Sequence, residues 1–83
     1  MLDPAALYAR YAPDLRRYLA ARAPAGIDPD DLLHDVFVRV IQSAASYEER
    51  GAVRGWLYQI AHARVIDAYR SAYRRHAVLL LDG

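Results

Sequence analysis

Apolar residues along this chain recur at helical spacing in three successive segments. The most regular segment is the middle one. There Leu32, Leu33, Val36, Phe37, Val40 and Ile41 follow as i, i+1, i+4, i+5, i+8 and i+9, a single-face pattern that predicts an amphipathic helix. Before it, Leu7, Tyr8, Tyr11, Leu15, Tyr18 and Leu19 form a second apolar stripe. Pro13 falls inside that stripe, lacks a donor and crowds the preceding turn, so it predicts a kink or a split near Tyr11–Ala12. The third segment runs from about Val53 to Arg75. Its apolar positions (Trp56, Leu57, Ile60, Ala61, Val65, Ile66, Ala68, Tyr69) spread around too much of the circumference for one buried face. This helix is expected to pack on one side and present aromatics on another, with Tyr58, His62, Tyr69 and Tyr73 forming an exposed line close to Arg54.

The punctuation agrees with these boundaries. Asp3-Pro4 and Asp28-Pro29 each combine a side-chain acceptor at the N-cap with a proline whose missing N–H is harmless in the first turn. Asp30 and Asp31 sit where the helix dipole favours negative charge. Ala23-Pro24-Ala25-Gly26 ends the first segment, and residues 43–53 read as a loop with a short turn, closed by Gly51. Residues 76–83 show no clear pattern. With no strand signal and no internal repeat, the expected fold is all-α, a small three- to four-helix bundle.

Length and composition narrow the picture. At 83 residues the chain has room for one domain and one small core. The absence of cysteine rules out disulfides and thiolate metal sites. Nothing resembles a signal peptide, and the longest apolar run, Ala77–Leu81, is far too short to span a bilayer, so a soluble, cytoplasmic protein is expected. The net charge of +1 hides an asymmetry. Residues 1–47 hold five arginines against six aspartates, while residues 51–75 hold five arginines against Asp67 alone. A basic C-terminal half is the footprint of an anion-binding surface. All cations are arginine, which reads as compositional bias.

Catalytic chemistry finds no foothold. His34, His62 and His76 have no HExxH-type pairing, there is no glycine-rich phosphate loop, and Ser43, Ser46 and Ser71 lack a nucleophile-elbow context. Asp30, Asp31 and Asp35 are ordinary dipole chemistry at a helix start. No enzyme activity, cofactor or metal is expected.

Three motifs in order carry a resemblance. YARYAPDLRRYL at Tyr8–Leu19, DDLLHDVFVRV at Asp30–Val40 and GAVRGWLYQIAHARVIDAYR at Gly51–Arg70 together resemble region 2 of the bacterial sigma-70 family, in its extracytoplasmic-function (ECF) branch. The resemblance covers the chain to about Arg75. It implies a transcription-initiation domain spanning 1–75, with 76–83 as the start of a linker or a disordered tail. In that family the second helix binds the clamp coiled coil of the largest subunit of core RNA polymerase, which here makes Asp31, Leu32, His34, Asp35, Val38 and Arg39 the contact candidates. An acidic and apolar face suits a basic coiled coil, although Leu32 and Phe37 also read as plain core. The family uses the following loop and the third helix to melt the minus-ten promoter element and hold its non-template strand. Carried over, Ser46 and Tyr47 would line a base pocket, Arg50 and Arg54 would hold phosphate, and Trp56, Tyr58, Gln59, His62, Ala63 and Arg64 would lie against bases. Single-stranded DNA calls for such a cationic track with aromatic faces. An anti-sigma factor is a further partner the resemblance admits; a membrane is not.

Two departures stand out. Many relatives carry an asparagine where this chain has Ala63, which cannot hydrogen-bond a base edge; His62 or Arg64 would have to substitute, unless Arg64 is engaged by Asp67 three residues on. ECF sigma factors also add a C-terminal helix-turn-helix domain, so the resemblance predicts an isolated domain or a truncated chain. Two rival readings remain: a helix-turn-helix DNA binder that never touches polymerase, and a degenerate sigma-like decoy for an anti-sigma factor. A loop of about ten residues before the arginine helix is too long for the first.

Overall fold

The computed structural model describes residues 2–47 and 52–82. Three helices make up the fold: α1 (Pro4–Arg22), α2 (Pro29–Ser43) and α3 (Val53–Asp82), with a single 3-10 turn at Ala44–Ser46 after α2.

Both predicted caps form. The Asp3 carboxylate accepts from the Ala5 N–H at 3.1 Å, and that of Asp28 accepts from the Asp30 N–H at 2.8 Å, each with proline at the next position. Between α1 and α2 the chain reverses over Ala23–Ile27, where the Ala23 N–H still reaches the Leu19 carbonyl and the Ile27 N–H reaches that of Pro24. Gly26 sits there at φ +83°, a left-handed conformation in which a side chain would be strained although nothing lies within 4 Å of the space it would occupy.

The core draws on all three helices. Ala12, Leu15 and Leu19 come from α1, Leu32, Leu33, Val36, Phe37 and Val40 from α2, and Leu57, Ala61 and Val65 from α3. α1 and α2 run antiparallel: Tyr8, near the start of α1, meets Phe37 edge-on at 5.0 Å, while Arg16 further along bonds Asp30 at the start of α2. Among the described residues α3 buries an i, i+4, i+8 strip alone, and beyond Arg75, the last residue lining a cleft against α2, it leaves Val78, Leu79 and Leu80 exposed.

Three expectations are corrected. α1 is continuous through Pro13, which lies on the exposed side one turn after an equally exposed Ala9, so the carbonyl deprived of its partner is open to water. The chain from His76 onward is not structureless: α3 continues to Asp82, because arginine, alanine and leucine favour helix and neither proline nor glycine intervenes. Ile41 is 63% exposed instead of core. It lies at the edge of the buried arc, about 40° further round α2 than Phe37.

Candidate functional site

The exposed side of α2 is built by subtraction. Its five buried residues fix the inward face, which leaves Asp31, His34, Asp35, Val38 and Arg39 outside. Leu32, expected among them, is 4% exposed and belongs to the core. Its side chain packs the bundle, with one edge lining the cleft against α3.

The outward residues divide into two rows. Asp31, Asp35 and Arg39, spaced four apart, border α3 and line clefts against it. His34, Val38 and Ile41 lie away from that seam, and Val38 and Ile41 expose apolar surface at 39% and 63%. Ile41 is the residue that sequence reasoning missed here, since its spacing extends the core pattern although its helical phase puts it at the edge of the buried arc.

The seam between α2 and α3 holds two clefts of opposite character. One, of about 370 Å³, is lined by Asp28, Asp31 and Asp35 of α2 and its cap, and by Asp67 and Arg75 of α3. The other, of about 270 Å³, is lined by Arg39 and Ser43 of α2 and by Trp56, Gln59, Ile60 and Ala63 of α3. Arg64 borders both. Its Nη2 donates to Asp67 at 2.9 Å, so the anticipated internal ion pair forms. Its Nε is shielded from solvent and has no acceptor among the described residues. Leaving a donor so placed costs about 1–3 kcal/mol, which favours an acceptor supplied from outside. No group of three histidines and carboxylates among the described residues is arranged to hold a metal ion.

The residues expected to touch DNA fall on two sides of α3. Trp56, Gln59, Ala63 and Arg64 share the second cleft. Arg54 and Tyr58 lie on the opposite flank, against α1: the Arg54 guanidinium sits 4.9 Å from the Tyr58 ring centroid, and Tyr58 meets Tyr18 edge-on at 5.1 Å. Tyr58 is therefore half-buried, not part of a fully exposed stripe, whereas His62, Tyr69 and Tyr73 are exposed. Ser46 donates to the Ser43 carbonyl at 3.2 Å, and Tyr47 packs on Trp56 with ring centroids 4.6 Å apart, tying the segment after α2 to the start of α3. Arg50 lies outside the described residues. Arg70, Arg74 and Arg75 are exposed and continue the cationic track along α3.

Comparison with known proteins fits this arrangement. A family model described as Sigma-70 region 2 matches residues 7–75. The RNA polymerase sigma factor YlaC of Bacillus subtilis (strain 168) is 36% identical over 64 residues, covering 77% of this chain and 37% of the relative. The RNA polymerase sigma factor CarQ of Myxococcus xanthus is 36% identical over 74 residues, with coverages of 78% and 42%. The ECF RNA polymerase sigma factor SigX of Bacillus subtilis (strain 168) is 34% identical over 64 residues, with coverages of 77% and 33%. The chain thus spans well under half the length of these relatives. No solved structure matches it.

Proposed function

The chain belongs to the sigma-70 region 2 family, with ECF sigma factors among its relatives, and from that membership we propose that it is a transcription-initiation module with two working faces. One face is the outside of α2, where Asp31, His34, Asp35 and Val38 dock on the clamp coiled coil of core RNA polymerase. The other is α3 with the segment before it, which takes the unpaired non-template strand of the minus-ten element.

The observation that carries this reading is the side-by-side placement of an acid-fronted helix and an arginine- and aromatic-rich one in a single bundle. Exposed carboxylates beside apolar Val38 and Ile41 suit a basic helical partner: the charges speed encounter and the apolar area holds the contact. Arg54, Arg70, Arg74 and Arg75, with Tyr69, Tyr73 and Trp56, supply the charge and flat surfaces that single-stranded DNA requires. In this reading Ser46, Tyr47 and Trp56 help form the base pocket, Arg50 and Arg54 hold phosphate, and Gln59, His62 and Arg64 approach base edges. Tyr58 supports Arg54 from beneath.

The reading is tested by adding the protein to core polymerase and a promoter fork whose minus-ten segment is single-stranded, then following fork retention. Wild type is expected to retain the fork. Arg54→Glu is expected to weaken retention and to make its salt dependence shallower by about one counterion contact. Unchanged retention would remove α3 from the DNA face.

A further inference from the structure

α3 carries a second apolar stripe that the bundle leaves uncovered. Its buried strip faces α1 and α2 through Leu57, Ala61 and Val65. Tyr69, Tyr73 and Leu80 follow at i, i+4 and i+11, and each is exposed by half or more. Arg70 and Arg74, about one turn apart, run beside this stripe and are also exposed. The groove along it is lined by Asp67, Tyr69, Arg70, Tyr73 and Arg74, all residues of α3 itself. From Ala68 to Leu80 the chain holds three arginines and no carboxylate. The outer side of α2 follows the same plan with the opposite sign. There Val38 and Ile41 are exposed, and Asp31 and Asp35, about one turn apart, lie on the same outer side. From Asp28 to Ile41 the chain holds four aspartates against Arg39 alone.

We propose that the tyrosine and arginine stripe of α3 docks on the outer side of α2 in a second copy of this chain. One chain cannot make the contact with itself. α3 is a single helix that meets its own α2 along two clefts, and none of Tyr69, Arg70, Tyr73 and Arg74 lines either of them. Two α3 stripes are poor partners for each other, since both bring arginines. Opposite charge makes the acidic side of α2 the complement, and the lengths agree. α2 has 15 residues, which span about 22 Å, and Tyr69–Leu80 spans about 18 Å. Because the two surfaces differ, the contact is head-to-tail, and each copy in a pair keeps one surface free for a further copy. So short a helix pair belongs with the small interfaces, below about 1,200 Å², and the association is weak and concentration-dependent. Its consequence rests on the proposed function. The contact covers the carboxylates that meet polymerase in one copy and the arginines and tyrosines that meet DNA in the next, so associated protein is withheld from both partners.

The test is sedimentation velocity of the whole chain over a wide concentration range, without polymerase or DNA, at low and at high salt. Wild type is expected to pass from one copy to two and more as concentration rises, and to associate about tenfold more weakly at high salt. Asp35→Arg and Arg74→Glu should each weaken association by about tenfold or more, with circular dichroism confirming that both remain helical. An equimolar mixture of the two variants should associate again, because an intact α2 face then meets an intact α3 stripe. Leu80→Ser should weaken association while leaving its salt dependence in place. A wild type that stays single at every concentration would overturn the proposal, as would a mixture that fails to associate. Association lost in Leu80→Ser but untouched by Asp35→Arg would also overturn it, since two α3 stripes would then be pairing with each other. The two readings fail separately. Polymerase binding by a chain that never self-associates removes this contact alone, whereas self-association by a chain that ignores polymerase removes the proposed function and leaves the contact standing.

Discussion

α2 and α3 use their residues in opposite ways. α2 buries five of its 15 residues and keeps a mixed outer side, acidic and polar with Val38 and Ile41 exposed among them. α3 is twice as long at 30 residues, yet among its residues with described side chains only Leu57, Ala61 and Val65 are buried, and Val78, Leu79 and Leu80 are exposed. The first is a structural helix whose leftover surface forms a face. The second is held by a narrow strip, so most of its circumference is available for a ligand. The proposed function, with two working faces on one small bundle, suits this division: one helix fixes the fold and the other carries the broad surface.

The sharpest way to break the comparison is truncation at the two ends of α3. Leu57 is fully buried and Leu79 is 71% exposed. Leu57→Ala is expected to destabilise the protein by about 2–5 kcal/mol, and Leu79→Ala by less than about 0.5 kcal/mol, in urea unfolding. Equal losses would mean that the outer turns of α3 pack as firmly as the inner ones.

A smaller effect is expected where α2 begins. Asp28→Ala removes the carboxylate that accepts from the Asp30 N–H, and should cost about 1 kcal/mol in the same measurement. No loss would show that proline at the next position suffices to start the helix.

The smallest effect concerns the tie between α1 and α2. Arg16 Nε donates to Asp30 at 2.6 Å with both side chains half exposed or more. The hydrogen bond to Asp30, and then its charge, raise the arginine above its ordinary, already strongly basic value. A raised folded-state value contributes stability below the unfolded-state value and loses it only as pH climbs through the folded one. The pair therefore leaves stability flat across neutral pH. Arg16→Ala is expected to leave the thermal midpoint almost unchanged and to add no pH dependence between mildly acidic and mildly basic buffers. A clear drop confined to that range would assign the pair a structural role.

The same contrast explains what could be read from the sequence. α2 was legible because its pattern has one face, and the caps were legible because Asp-Pro acts within a single turn. Ile41 misled because its i, i+9 position looks like a continuation of the core face, while its helical phase puts it at the edge of the buried arc. The outer turns of α3 were missed because periodicity fades there, although the residues remain good helix formers. The candidate site was legible as a set of residue types but not as a surface. Helical phase within α3 already sets Arg54 and Tyr58 on the side away from Trp56, Gln59 and Ala63, and the crossing of α2 and α3 adds Arg39 to the latter group.

The central claim is that the outer side of α2 docks on polymerase, and Asp35 tests it most directly because it is exposed and outside the core. Binding of the purified protein to core RNA polymerase should be measured for wild type beside Asp35→Arg, with circular dichroism confirming that both are helical. The account predicts tight binding by wild type and a loss of about 2–5 kcal/mol on charge reversal. Equal binding by the two proteins, or none by wild type, would contradict it.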